Sequence, residues 1–310
     1  MDKHWDCIIV GAGAAGLSAA LVLGRARRRT LVIDADGQSN LAADGIGGLL
    51  GHDGRPPAAF YAAGRDELAA YPAVELRSGE VVGGEVVDGV LELDLADGSR
   101  EKARRVLLAT GMDYRYPDLP GIAERWGGSV FHCPFCHGWE VRERQLGVLD
   151  RGETGMQRAL LLRAWSDDVT LFTDGPAELG PEDAERLRAA GVTLDERRVA
   201  GLRGPGSDLT AVGFADGGER PCSGLQVAVT LHQRSALAEQ LGAVATEPGQ
   251  IAVNPVEVDR TFATSAPGVL AAGDLIPQMP SVVNSVAAGS QAAAMIVHGL
   301  MVEAHDLAPA

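Results

Sequence analysis

Cysteine is scarce in this 310-residue chain, which has only Cys7, Cys133, Cys136 and Cys222. Four thiols at this length exclude the disulfide framework of a small secreted domain. They also leave a zinc site short of ligands. A knuckle opening with Cys133 and Cys136 needs two more ligands at matching spacing, yet Cys7 and Cys222 are isolated. His132 and His137 stand too close to the pair to complete it, so no metal is expected. Positive charge is scarce too: 27 Lys and Arg against 42 Asp and Glu leave a net charge of −15. So acidic a surface repels nucleic acid and anionic lipid, and neither is an expected partner. The longest apolar stretch, Val286 to Val302, is interrupted by Ser290, Gln291 and His298 and is expected to be too polar to span a membrane. Met1-Asp2-Lys3-His4-Trp5 is no basic apolar leader, so a cytoplasmic protein without signal peptide is expected. A hydrophobic content of 46% with 22% charged residues is ordinary for a soluble globular protein, and the length allows two domains.

What is present concentrates in Phe131-His132-Cys133-Pro134-Phe135-Cys136-His137-Gly138-Trp139-Glu140. Two cysteines separated by two residues can close into a strained, easily exchanged disulfide. One thiolate of such a pair, stabilised by local dipoles and cations, is a nucleophile near neutral pH. His132 and His137 flank the pair as candidate proton carriers. We read this stretch as a redox disulfide. Cys7 reads as a small buried apolar side chain, and Cys222, in a polar turn-like stretch, as a bystander.

Asp6 to Val10 reads as a buried strand running into Gly11-Ala12-Gly13-Ala14-Ala15-Gly16. A helix follows from Leu17 to about Arg25, and a second strand, Thr30 to Ile33, ends at Asp34. This is the βαβ setting of a dinucleotide site. Gly11 permits the turn, Gly13 lets backbone N–H groups approach a pyrophosphate, and Gly16 allows close helix–strand packing. Ala14 and Ala15 begin the helix at that loop. Asp34, followed by Ala35, suits a ribose diol. The glycine-rich loop Gly37 to Arg55 offers Gln38 and Asn40 toward the cofactor, with His52 as a further polar side chain. A helix from Pro57 to Ala70 precedes three strands, Val74 to Val82, Glu85 to Leu95 and Ser99 to Val106, expected as an antiparallel meander. Val82 joins the cofactor candidates, as do Thr110 and Gly111, where a buried strand from Val106 ends. Near the C-terminus a strand from Pro267 ends in Gly273-Asp274, a pair able to set an amide and a carboxylate on a flavin's ribityl–phosphate arm. A final helix is expected from Val282 to Met301.

Between these halves, Gly111 to Gly121 and Gln233 to Gly242 read as linkers. The enclosed part repeats the strand–loop–helix outline at Leu146 to Trp165, with a strand at Asp168 to Phe172, but its loop is altered. Gly152 and Gly155 survive, while Asp150 replaces the first glycine and Arg151 follows it. A carboxylate there repels a pyrophosphate. Thr173-Asp174-Gly175-Pro176 after the strand has no arginine cluster for a 2′-phosphate, so NADPH binding is expected to be lost.

Taken in order, these pieces resemble the low-molecular-weight thioredoxin reductase family over essentially the whole chain. The markers are GAGAAG at 11–16, Ala109-Thr110-Gly111, CPFC at 133–136 and Ala272-Gly273-Asp274. The resemblance implies an α/β fold of two Rossmann-like, three-layer ββα nucleotide-binding domains. An FAD domain, 1–113 with 241–310, would be split around a smaller inserted domain, 114–240, carrying the CxxC. It further implies a homodimer, with Cys136 facing the flavin and Cys133 attacking the partner's sulfur. Two departures stand out: His137 replaces the acidic residue that follows the second cysteine in the reductases, and the second glycine loop is broken. Cys-Pro-Phe-Cys-His-Gly-Trp-Glu is similar to the branch of FAD-dependent dithiol oxidases that close disulfides in gliotoxin-type and holomycin-type metabolites, which dispense with NADPH and use O₂. By that resemblance His132, His137 and Asn40 are the candidates for proton transfer and flavin contact. The expected function is oxidation of a small-molecule dithiol, with FAD as cofactor and H₂O₂ as product. The alternatives are a reductase of a protein disulfide, fed by NADPH or another donor such as ferredoxin, and a redox sensor.

Overall fold

The structure, a computed structural model, describes residues 4–307. It divides into two compact units, one holding residues up to 39, 57–114 and 230 onward, the other 40–56 and 115–229.

The first unit is built on a parallel sheet in the order Val269–Ala271, Val106–Leu108, Cys7–Val10, Thr30–Asp34, Val74–Ser78. The inner strands read Cys-Ile-Ile-Val and Thr-Leu-Val-Ile-Asp, and every residue in them is buried. Near-continuous apolar strands of this kind are covered on both faces. On the sheet lies the helix Ala14–Arg25, and the C-terminal helix Val282–Ala304 packs on that helix. Ser281 caps the longer helix, its Oγ accepting from the Asn284 amide at 3.1 Å.

Three sequence expectations change here. Val74–Ser78 does not join the meander but adds in parallel to Thr30–Asp34 as the edge of the main sheet. The antiparallel sheet is Val81–Val87, Val90–Leu95 and Arg100–Ala103, and Val81–Val87 is one strand whose register shifts between Val81 and Gly83. Leu237, Leu93 and Leu241 press where a side chain at Gly84 would stand, so glycine suits that position. The helix Val282–Ala304 is, contrary to expectation, long and apolar enough to cross a membrane by length and composition. One face of it is used internally, where Ala288, Gly289, Ala292, Ala293, Ile296 and Leu300 are buried, while Val283 and Met295 are exposed.

The second unit has a like sheet, Val192–Asp195, Val169–Phe172, Leu146–Leu149, Gly224–Val227 and Val130–Phe131, all parallel. Its last edge, however, is taken by the unit's first strand and not, as in the first unit, by the last. The helices Gly152–Leu162 and Pro181–Ala189 accompany it. Cys222 is fully buried rather than in a polar turn, with its Sγ 3.3 Å from the Gly224 carbonyl. Unit boundaries differ from the sequence division in two places. Residues 230–240 lie with the first unit because the short helix Leu237–Gln240 packs on Val81–Val87. The loop 40–56 lies with the second, where Ala42 backs onto Gly127 and Gly47 onto Cys136.

Candidate active site

In the first unit the strand Cys7–Val10 ends in Gly11, whose φ of +103° a side chain would resist. A Cβ on Gly16 would stand 1.8 Å from the Gly11 carbonyl oxygen, so strand and helix approach as only glycine allows. Gly13 is the N-cap of the helix begun by Ala14 and Ala15, and no side chain caps it and no acid lies in its first turn. Its backbone donors are thus left to an anionic ligand. Asp34 closes the second strand, one oxygen accepting from the Ala12 amide at 3.0 Å and the other from Arg65 at 2.7 Å. Gln38 adds a longer contact to it at 3.3 Å, and Ala35 beside it is exposed. Thr110 and Gly111 follow the strand Val106–Leu108 at the same carboxyl edge. Gly273 and Asp274 follow Val269–Ala271, again at that edge. Asp274 accepts from the Tyr114 hydroxyl at 2.8 Å and the Ser285 hydroxyl at 3.2 Å. Burial pushes its carboxyl above the usual range, against the pull of those two donors. Most of the predicted cofactor residues are therefore gathered along one sheet edge, where α/β sheets bind ligands. Val82 is set apart, exposed in the antiparallel sheet. Asn40 belongs to the other unit. Arg65 and Tyr114 escaped the sequence reading because their partners are remote in sequence. The open helix N-terminus and the glycine approach fit the pyrophosphate of FAD.

In the second unit the redox pair leaves the carboxyl end of the edge strand Val130–Phe131. Cys133 and Cys136 form a disulfide with Cα atoms 5.4 Å apart, across a single helical turn, Pro134–His137. Proline at the first helical position suits that start, and the Gly138 amide closes the turn on the Pro134 carbonyl at 2.7 Å. The loop 40–56 seals one side: a Cβ on Gly47 would lie 2.6 Å from the Cys136 carbonyl oxygen. Aromatic rings hold the flanks. His137 stacks on Phe131 with ring centres 5.6 Å apart, and His132 stacks on Trp126 at 6.1 Å.

Both histidines are held neutral. Burial lowers the His132 pKa to about 4, with His137 and the Arg158 guanidinium pushing the same way. Burial also lowers His137, while the Cys133 and Gly127 carbonyls and the carboxylates of Glu140 and Asp44 pull it back. Neither carbonyl reaches hydrogen-bonding geometry, and both ring nitrogens of His137 are buried without a partner. A histidine with a depressed folded-state pKa binds fewer protons than in the unfolded chain, so stability is full above the unfolded value and falls below it. Unfolding free energy is thus expected to drop as pH falls from about 6.5 toward about 4. His132 accounts for on the order of 2 kcal/mol after allowance for its partial exposure. Denaturant titrations across that range should show a shallower slope for His132→Asn, and an unchanged slope would contradict the assignment.

Leu146–Leu149, separated from Val130–Phe131 by the strand Gly224–Val227, leads into the second loop. Asp150 takes the first-glycine position, and its Oδ1 accepts from the Arg151 amide at 2.9 Å while Oδ2 is paired with Arg158. The Gly152 amide is bound to the Ala177 carbonyl at 2.8 Å. A carboxylate therefore occupies the mouth of the helix Gly152–Leu162. At the end of Val169–Phe172, Asp174 faces Arg198 at 3.6 Å and Arg151 at 3.9 Å, and Arg197 is paired with Asp195 at 2.6 Å. Those arginines come from remote segments, which is why the sequence showed no cluster.

The sequence profile of the pyridine nucleotide-disulphide oxidoreductases matches residues 5–289. The chain is 33% identical to thioredoxin reductase tcpT of Claviceps purpurea over 304 residues, covering 94% of this chain and 92% of that one. It is 30% identical to thioredoxin reductase sirT of Leptosphaeria maculans, covering 93% and 92%. Among solved structures it is similar to HlmI, with a TM-score of 0.90, 37% identity and coverage of 98% and 95%. An oxidoreductase from Agrobacterium tumefaciens gives the same TM-score at 33% identity, with 96% and 99% covered. Two nucleotide-binding folds, an FAD cradle and a CxxC disulfide place the chain in the pyridine nucleotide-disulphide oxidoreductase family, as a thioredoxin reductase-like flavoprotein that uses FAD.

Proposed function

We propose that the protein oxidises a small-molecule dithiol to its disulfide and that O₂ is the final acceptor, leaving as H₂O₂. The observation that carries this is Asp150, a carboxylate fixed by Arg158 and the Arg151 amide where a dinucleotide pyrophosphate would lie. Electrons entering from NADPH need that place open.

A substrate thiolate attacks Cys133 Sγ, and the Cys136 sulfur leaves as thiolate. The second substrate thiol then attacks the mixed disulfide, releasing the product and a Cys133 thiolate. His137 is the better base toward the substrate. Moving a proton from a thiol near pKa 8.5 to a group at about 4, such as His132, is uphill by on the order of 6 kcal/mol. His137 is lowered as well, but the carboxylates of Glu140 and Asp44 oppose the shift. FAD would be held by Gly11 to Gly16, Asp34 and Asp274, and would supply two-electron oxidation of the reduced pair and reaction with O₂.

Anaerobic flavin absorbance during separate titrations with NADPH and dithiothreitol tests the reading. Bleaching by the dithiol alone, reversed by air, is the expected result, while rapid bleaching by NADPH would overturn it. In Asp150→Gly the dissociation constant for NADPH should fall by roughly tenfold, as a repelled charge is removed from a helix N-terminus. Calorimetry on both proteins measures it.

A second reading, a reductase driven by NADPH, draws on the names of the relatives and on Arg151, Arg197 and Arg198 at the strand ends. Against it, each of these guanidinium groups already has a carboxylate partner.

A further inference from the structure

Gln226 is a primary amide in the middle of the buried parallel strand Gly224–Val227 and is 3% exposed. Its Nε2 donates to the His132 carbonyl at 3.0 Å. Its Oε1 has no partner. A buried acceptor left unmet costs about 1–3 kcal/mol, which leucine at the same place would not incur. The bond to the His132 carbonyl accounts for Nε2, but nothing in the packing accounts for the unmet Oε1. Position does. Gln226 stands opposite Phe131 in the adjacent strand, and the ring of Phe131 carries His137, among the described residues the other buried group with unpartnered polar atoms. The carbonyl it binds belongs to the residue directly before Cys133.

We propose that Gln226 is a positioning residue for thiol–disulfide exchange at Cys133. Its Nε2 fixes the His132–Cys133 peptide, and its Oε1 accepts a hydrogen bond from His137 once that imidazole carries the substrate's proton. The substrate S–H proton moves to the imidazole, and the thiolate pair forms the new bond to Cys133 Sγ. The Cys133–Cys136 bond breaks with its electron pair left on Cys136 Sγ. The inference rests on the exchange chemistry proposed above, and not on the choice between oxidase and reductase. The other groups acting on His137 are Glu140, Asp44 and the Cys133 and Gly127 carbonyls. His132 meets His137 and Arg158, the latter paired with Asp150.

The test follows reduction of the disulfide by dithiothreitol in FAD-loaded protein under anaerobic conditions, quenched by alkylation and read by mass, across pH. Gln226→Leu is expected to slow reduction by roughly tenfold or more with stability near that of the wild type, the donor lost from the His132 carbonyl offsetting the relief of the unmet Oε1. A merely structural role predicts an unchanged rate and an unmoved pH profile. In Gln226→Glu the carboxylate raises the apparent pKa of the base by about one unit or more, moving the acid limb of the profile to higher pH. Reduction of Gln226→Leu at the wild-type rate with an unmoved profile overturns the inference. If that variant does not fold, an unmoved limb in Gln226→Glu does so. A wild-type disulfide that dithiothreitol cannot reduce overturns the exchange reading itself, and the inference with it.

Discussion

Cys136→Ser is expected to reduce turnover of any dithiol by roughly a thousandfold or more, because a serine oxygen can neither form the disulfide nor leave from it. Cys133→Ser should lose as much, yet the two variants should differ in what they trap. With Cys136 gone, Cys133 retains an attacking sulfur, so an exogenous disulfide should leave a stable mixed disulfide on it. Cys133 is the N-cap of the single turn that carries Cys136, and the Cys136 amide donates back to the Cys133 carbonyl at 3.2 Å. Serine preserves that turn. Loss of the cross-link itself costs about 2 kcal/mol for so short a loop, and by the same amount in both variants. A difference between them therefore reports chemistry rather than stability. Steady-state oxygen consumption and intact-protein mass measure the two quantities. Wild-type turnover by Cys136→Ser would sink the scheme.

Gly16→Ala should cost several kcal/mol and most of the bound FAD. Its Cβ would stand 1.8 Å from the Gly11 carbonyl oxygen, and backbone cannot swing aside as a flexible side chain can. The helix Ala14–Arg25 would have to lift from the sheet, taking the cofactor's backbone donors with it. Gly13→Ala provides the contrast. Its Cβ would meet only Gln38 Cγ, at 3.8 Å, so the apoprotein should keep its stability. The methyl group would stand where a pyrophosphate must approach, and FAD content alone should fall. Thermal melts of apoprotein with flavin absorbance of purified protein separate the two effects. A Gly16→Ala protein with wild-type melting and full flavin would refute the packing argument. Equal flavin in Gly13→Ala would refute the placement of the phosphates.

What could be read from the sequence is what local spacing encodes. The strand–glycine–helix signal at 7–25, the pair Cys133 and Cys136 and the altered loop at Asp150 are contiguous, and each sits where its pattern placed it. Distant partners were not legible. Arg65 on Asp34, Tyr114 on Asp274 and Gln226 on the His132 carbonyl join residues separated by 31, 160 and 94 positions. No period or motif marks such pairs. Val74–Ser78 misled for a related reason: alternation identifies a strand but not its neighbour, and its neighbour is the parallel Thr30–Asp34. The apolar stretch at the C-terminus misled in another way, because the interruptions at Ser290, Gln291 and His298 are too few to offset its apolar residues. Gln226 itself looks unremarkable in Leu-Gln-Val-Ala-Val, and its weight appears only when the strand is seen to be buried on both sides.

The chain enters the redox unit twice, first with 40–56 and later with 115–229. The short first visit brings Gly47 against the backbone of Cys136. Excision of 115–229 alone would thus strip one wall from the disulfide, and a free-standing redox fragment has to carry the loop grafted back. The same arrangement divides evolutionary labour. A loop bounded by two fixed crossings can change length and side chains without disturbing either sheet, so the surroundings of Cys136 can diversify while both nucleotide folds stay under constraint.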